Sequence, residues 1–481
     1  MIHPLFPDYK IIYTDDNNKT YTLSQLCHHI FHDYYDEEEH THTHHPIDLS
    51  RDYDKYYDRK QKIVDFNKEI YYKQPTLCVI PRLYINFPIE ISYIKIIKGF
   101  DKLNFQFCTT FAHLFDEYYE LELIEGINNI DTSHITDMTC MFDNCMKLTN
   151  LDLSNWNTSN VISMSNMFHE CRNLTSLNIS NWNTSNVENM NFMFFNCESL
   201  TELDLTEWNV SNVKTMNNIF TWCSSLTTLN ISNWDVSNTI KMSGLFCGCS
   251  SLISIDLTKW DISNANCISS MFRGCESLTS LNVNHFNTTG IDSLSSMFAE
   301  CKKLVSLDLS KWKVDKVRWI YQMFENCKSL QYLNISNWNI RNVEEMNNIF
   351  NGCISLQHID LSNWDVSKVK QFYHFFGNCK SLVELDLSNW KTPNAEYINA
   401  LFENCESLQT LDISNFDVKY CDKWYGLFRD CHSLSYLNLS NCNNETIELI
   451  MENIKKYGHV NISKLIVDYP EGYNENSDNS N

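Results

Sequence analysis

Three sets of residues in this 481-residue chain have the types and spacing to do chemistry. The first is a column of thiols: Cys145, Cys171, Cys197, Cys223, Cys249, Cys275, Cys301, Cys327, Cys353, Cys379, Cys405 and Cys431 fall 26 residues apart, with no insertion or deletion. Thiols in register could bridge as disulfides or hold zinc. The second is a column of acids and amides: Asp152, Asn178, Asp204, Asn230, Asp256, Asn282, Asp308, Asn334, Asp360, Asp386, Asp412 and Asn438. Such a column could take a cation or serve as a partner surface. The third is the histidine-rich stretch with His28, His29, His32, His40, His42, His44 and His45, where adventitious Zn or Ni binding is conceivable.

Each set also has a plain alternative. No Cys-x-x-Cys pair recurs, and Cys247 with Cys249 is a single Cys-Gly-Cys, so zinc is not expected. If the cysteines lie on helices packed roughly 8–10 Å apart, their Cα atoms exceed the about 7 Å a disulfide tolerates. Free, buried, structural thiols are the expectation. The histidine stretch reads as a solvated linker without cysteine at ligand spacing. In the acid column Asp and Asn alternate for nine copies, which would hold carboxylates about 9.6 Å apart on rungs about 4.8 Å apart, near the screening length of physiological salt. A soluble hydrogen-bonded face and a partner surface both fit that pattern. We expect no catalytic residue, no metal and no cofactor.

These columns need elements to hold them. Each unit reads Leu-x-x-Leu-Asp/Asn-Leu/Ile-Ser/Thr-x-Trp, then a polar turn, then Val-x-x-Met-x-x-Met-Phe-x-x-Cys. The alternation Leu151-Asp152-Leu153-Ser154 predicts a half-buried strand. Val161, Met164, Phe168 and Cys171 are spaced three, four and three apart, which predicts a short helix with Ser159 or Asn160 as its N-cap. One such unit cannot bury enough apolar surface to stand alone, so consecutive units must stack. The expected fold class is therefore an α/β repeat solenoid with a parallel sheet on one face and short helices on the other.

On the strand face, the column preceding the second leucine is the one that varies: Asn150, Ser176, Glu202, Thr228, Ser254, Ser280, Ser306, Tyr332, His358, Glu384, Thr410 and Tyr436. Variation on a rigid scaffold is where specificity is written. Tyr332, His358, Glu384 and Tyr436 are the expected partner contacts, aromatic residues being enriched at hot spots. Asp152, Asp204, Asp256, Asp308, Asp360, Asp386 and Asp412 are the accompanying candidates.

Leu-x-x-Leu-x-Leu closed by Met-Phe-x-x-Cys-x-x-Leu (Met167, Phe168, Cys171, Leu174) resembles the BspA family of leucine-rich repeat surface proteins, over about Leu121 to Asn441. The resemblance implies a right-handed solenoid and a role in binding proteins or cell surfaces; relatives include bacterial and protist adhesins and proteins of large DNA viruses. The tryptophan column, Trp156 to Trp390, gives way to Phe286 and Phe416 and stops at Cys442. Residues 108–441 are thus expected to be a solenoid of about 12 repeats with a degenerate first turn at Phe115, Tyr118, Leu121 and Ile124. Residues 442–468 read as a helix-and-strand cap, 469–481 as a disordered tail, and 1–107 as a non-repetitive region that is a small β-rich module or an N-terminal cap.

A net charge of −23 with no basic stripe speaks against nucleic acid as a partner. No stretch approaches the roughly 20 apolar residues that span a bilayer, and no export signal opens the chain, so the host cytoplasm or a virion is the expected location. Asn-x-Ser/Thr triplets such as Asn157-Thr158-Ser159 then follow from the repeat rather than from glycosylation. Three functions fit: a non-enzymatic scaffold binding a protein through its strand face, a virion or surface structural component, and a substrate adaptor, as in ubiquitin transfer, with residues 1–107 recruiting machinery.

Overall fold

The architecture follows from where each repeat sends its backbone N–H groups. The computed structural model describes residues 94–102, 105, 108–418 and 425–473, together with the backbone of the short strands Tyr13–Thr14, Thr20–Tyr21, Tyr57–Asp58 and Ile63–Asp65. In the segment expected to be helical, every second N–H leaves its own repeat. Met164, Asn166, Phe168 and Glu170 donate to the carbonyls of Asn189, Asn191, Met193 and Phe195 at 2.8–2.9 Å. The residues between them fold the chain locally: the N–H groups of Met167, His169 and Cys171 close turns on the carbonyls of Met164, Asn166 and Phe168. The same bonds recur along the stack to Asn404, which donates to Arg429.

The short helices expected at residues 161–171 and their equivalents are therefore not formed. An α-helix would send these N–H groups back four residues within the segment; here half of them tie one repeat to the next. Spacing of three, four and three serves a chain of turns as well as a helix, because both return side chains to one side. What forbids the helix is the left-handed backbone at two positions per repeat, such as Asn166 (φ 55°) and Glu170 (φ 60°). These columns are rich in Asn and Gly, the residues that tolerate φ > 0: Asn144, Asn196, Gly248, Gly274, Asn326, Gly352, Asn378 and Asn404. The expected N-cap is replaced as well. Asn157 Oδ1 accepts from Ser159 N at 3.1 Å, and Asn160 Nδ2 reaches back to Ser133 O in the preceding repeat at 2.8 Å. Asn186, Asn212, Asn238 and Asn264 repeat that reach.

The molecule is a parallel-strand solenoid whose strand face is paired only in stretches. Asn150–Asp152 pairs with Ser176–Asn178, and Ser306–Asp308 with Tyr332–Asn334. Glu384–Asp386, Thr410–Asp412, Tyr436–Asn438 and Ile466–Asp468 form a four-stranded parallel sheet. No strand pairing occurs from residue 202 to 282 or at residues 358–360 among the described residues. Parallel bridges on the turn side run through those gaps, from Thr110 by way of Ser163 and Thr215 to Cys267 and from Ser293 to Tyr397. Interrepeat bonding is thus carried more continuously by the turns than by the sheet.

Identical side chains stack inside this backbone. Trp156, Trp182, Trp208, Trp234 and Trp260 lie 6.2–6.4 Å apart with planes within 7°, offset stacking that suits the ring quadrupoles. The buried indole N–H needs an acceptor, and a strand-end carbonyl of the preceding repeat supplies it: Trp156 Nε1 to Ile127 O at 2.9 Å, Trp182 Nε1 to Leu153 O at 3.1 Å. Trp364 departs from this; its Nε1 is buried without a partner. In its repeat the larger rings of Phe372 and Phe375 stand where Met346 and Ile349 stand one repeat earlier, and Phe375 lies edge-on to Trp364. A phenylalanine column from Phe142 to Phe428 fills the other side of the core.

The cysteine column packs beside it. Each Sγ from Cys145 to Cys431 donates to a phenylalanine carbonyl of the preceding repeat, as Cys171 does to Phe142 O at 3.1 Å and Cys327 to Phe298 O at 3.0 Å. The described cysteines are free. The reason is not the helix spacing expected from the sequence, since rungs of a parallel stack lie about 4.8 Å apart. It is that each thiol is buried and already engaged with a carbonyl. Burial pushes the thiols of Cys223 and Cys327 up to about 12.

At the N-terminal end Ile63–Asp65 pairs in parallel with Ile96–Lys98, which pairs in turn with Leu123–Ile124, and Ile97, Phe100 and Phe105 join the same core. At the other end α1 (Asn444–Tyr457) is capped by Asn443, whose side chain accepts from Thr446 N, and buries Ile447, Ile450, Met451 and Ile454. Ile466–Asp468 then takes the last place in the sheet, and Tyr469 and Tyr473 stack at 4.9 Å.

Two measurements check this architecture. Far-UV circular dichroism of residues 94–473 should show a β- and turn-dominated spectrum, with no more helix than the 14 residues of α1 supply; a strongly helical spectrum would mean the turn segments are helices after all. Iodoacetamide at pH 8 should leave Cys145 to Cys431 of the 26-residue column unmodified in the native protein and reach them only after denaturation, because the reactive species is the thiolate.

Candidate functional site

The strand face presents its columns differently along the stack. The buried leucines alternate with exposed neighbours, as in Glu384–Asp386, so the variable column and the acid column both face outward. One open concavity of about 850 Å³ lies on this face over the rungs from Tyr332 to Tyr436. All four variable-column candidates line it: Tyr332, His358, Glu384 and Tyr436. So do three of the seven acids, Asp360, Asp386 and Asp412. Asp152, Asp204, Asp256 and Asp308 stand on the same face but outside the concavity.

Within it, Tyr332 is 57% exposed. His358 Nδ1 lies 3.4 Å from Glu384 Oε1 on the next rung. Tyr436 is held by its phenol, which donates to Asp468 Oδ2; that bond, with the nearby carboxylates, raises the phenol above its ordinary pKa. The strand at 358–360 is unpaired between two paired sheets, and Ile359 is only partly buried. Aromatic, acidic and apolar surface therefore meet in one place.

The acid column has a structural task throughout. Asp152 Oδ1 accepts from Ser154 N at 3.1 Å, Asp308 Oδ1 from Ser310 N at 3.0 Å, and Asp386 Oδ1 from Ser388 N at 2.9 Å. Asp204, Asp256 and Asp360 accept from both the N–H and the hydroxyl of Thr206, Thr258 and Ser362. Each is a side-chain turn that ends the strand. Asn does the same work: Asn178 and Asn230 accept from the hydroxyls of Ser180 and Ser232. The Ser/Thr column beyond the acids is thus the donor set for this turn. The second oxygen is used unevenly: Asn128, Asn284 and Asn438 donate to Oδ2 of Asp152, Asp308 and Asp412, whereas those of Asp204, Asp256, Asp360 and Asp386 have no partner among the described residues.

Among the described residues no group of three or more His, Cys, Asp or Glu is arranged to hold a metal, and no helix is long and apolar enough to cross a membrane. The histidines from His28 to His45 lie outside the described residues. Sequence reasoning passed over two features. Asp468, which fixes Tyr436, follows α1 and has no place in the 26-residue register. On the turn side, Phe195 stacks on His169 at 4.9 Å, and Trp222, 52% exposed, lies over Gly248, where a Cβ would come within 2.6 Å of its ring. The signal was available for Trp222, which stands in a column that elsewhere holds only Asn, Gly, Glu or Asp.

A family described as Mycoplasma protein of unknown function matches residues 109–228, 216–333, 240–358 and 320–442. It supports the repeat type and carries no pointer to a virus. No curated protein matches the chain. Among solved structures, a leucine-rich cell surface protein from Faecalibacterium prausnitzii A2-165 is 17% identical, covering 68% of this chain and 71% of that one with a TM-score of 0.30. A leucine-rich repeat protein from Eubacterium ventriosum ATCC 27560 is 14% identical, covering 72% and 84% with a TM-score of 0.33. A chain of the Drosophila Toll–Spatzle complex is 15% identical, covering 78% and 55% with a TM-score of 0.26.

The strand-end turns predict an acid response. Hydrogen bonds from Thr206, Thr258 and Ser362 hold Asp204, Asp256 and Asp360 below the usual aspartate range. A depressed folded-state pKa means the stabilisation is fully present above the unfolded value of about 3.9 and is lost as pH falls through the folded one. Thermal unfolding followed between pH 6 and 2 should show the midpoint dropping below about pH 4, and Asp204→Asn with Asp360→Asn should flatten the drop. An unchanged profile in the double variant would remove these turns as its cause.

Proposed function

The chain belongs to the DUF285 family, and from that premise and the geometry above we propose that it is a non-enzymatic scaffold that binds a protein partner through the C-terminal rungs of its strand face. One observation carries the reading: of the five variable-column positions that depart from Ser, Thr or Asn, four converge on a single concavity and Glu202 stands outside it. Tyr332, His358, Glu384 and Tyr436 stand there in a column that is otherwise mostly Ser, Thr or Asn. A rigid backbone presents them without an ordering cost at binding, which favours affinity. An exposed tyrosine such as Tyr332 is the kind of residue enriched among anchors that dominate interface energetics.

A benzophenone side chain placed at Thr410, within the concavity, should cross-link to a discrete protein in cells that make the chain; the same group at Thr206, on the strand face outside it, should not. Tyr332→Ala should cut the Thr410 yield about tenfold without moving the thermal midpoint, since an exposed side chain contributes little to stability. Equal labelling from Thr206 and Thr410, indifferent to Tyr332, would refute the assignment of the surface.

A further inference from the structure

We infer that the occupant of the concavity is an extended, arginine-bearing segment of another protein, laid across the rungs from Tyr332 to Tyr436; this rests on the binding role proposed above. Charge is the first argument. The lining carries Asp360, Glu384, Asp386 and Asp412 and no lysine or arginine, and His358, its one basic side chain, faces Glu384. Elsewhere in the acid column an amide separates successive acids. Here Asp360, Asp386 and Asp412 follow one another, and Asp386 and Asp412 pair in register on rungs about 4.8 Å apart, well inside the screening length of about 8 Å. A cation laid along them relieves that repulsion.

The chemistry of the cation follows from what the carboxylates leave open. The strand-end turns use Oδ1 of Asp360 and Asp386, leaving Oδ2 on two adjacent rungs without a partner among the described residues. A guanidinium presents a planar fork of donors that can address such oxygens together, which a lysine ammonium cannot match. Tyr332 offers an open ring face for a second guanidinium, and Tyr436, fixed by Asp468, bounds the other end. Five rungs span about 19 Å, the length of about six residues of extended chain. A bare metal ion does not fit, since no group of three ligands forms among the described residues.

Fluorescence anisotropy of labelled ten-residue peptides against the whole chain tests this. An alternating Arg-Ser peptide should bind; the Glu-Ser counterpart should not, and a Lys-Ser peptide should bind several-fold more weakly. Asp360→Asn with Asp386→Asn should weaken the Arg-Ser peptide about tenfold. This variant keeps the turns, because Asn accepts both the serine N–H and hydroxyl at Asn334 and the serine N–H at Asn438. Asp204→Asn with Asp256→Asn removes the same charge outside the concavity and should change binding by less than about twofold. Equal losses in the two variants would show attraction to overall charge and overturn the site, and equal binding of Lys-Ser would overturn the guanidinium assignment. If Arg-Ser fails to bind while the Thr410 cross-link persists, the cationic occupant is wrong and the scaffold role stands; loss of both sinks the two together.

Discussion

Every second N–H in the turn segment of one repeat is donated to a carbonyl of the next, and the other features of the molecule are arranged around that exchange. It runs from Phe111, which donates to Asp137, to Asn404, which donates to Arg429. Because the donors alternate with residues that close local turns, the segment cannot relax into a helix without giving up its neighbour. The left-handed residues that break the helix are therefore the same ones that turn the chain so that it can be stacked.

A fixed period follows from this. An inserted residue would shift every donor past its acceptor and send the alternate N–H groups, now unpaired, into the core, where each costs about 1–3 kcal/mol. Three side-chain columns depend on the same register. The tryptophan indoles and the cysteine thiols reach carbonyls 29 residues back, as Trp182 does to Leu153 and Cys171 to Phe142. The phenylalanine rings stack on their own kind, Phe142 on Phe168 and Phe168 on Phe194, and also meet the tryptophans, as Phe168 does Trp182. A thiol suits its column because it is small, apolar and still a donor.

The surface proposed for binding is a by-product of this uniformity. When turns and core hold the repeats together, the strand face is released from carrying the whole ladder and can lose pairing, as at residues 202–282 and 358–360. The variable column uses both kinds of rung, with Tyr332, Glu384 and Tyr436 on paired strands and His358 on an unpaired segment. Asp386 shows how the two demands meet: one carboxylate oxygen ends its strand through Ser388 while the other faces the concavity. The acids of the column each end a strand-face segment with a turn and are distinctive where three adjoin.

Much of this was legible in the residues themselves. The period, the inward leucines, the tryptophan and cysteine columns and the outward-facing variable column follow from repetition, since stacked copies must place like residues alike. The turn segment was not legible by periodicity, because Val161, Met164, Phe168 and Cys171 satisfy a helix and a chain of turns equally; the Asn and Gly at the left-handed positions were the deciding signal. Only the tertiary structure could decide that four of the seven acids lie outside the concavity and three within it. Only it could bring Asp468 beneath Tyr436. Both depend on which rungs pair and which part, and that is fixed by hydrogen bonds between repeats, a relation that no single repeat contains.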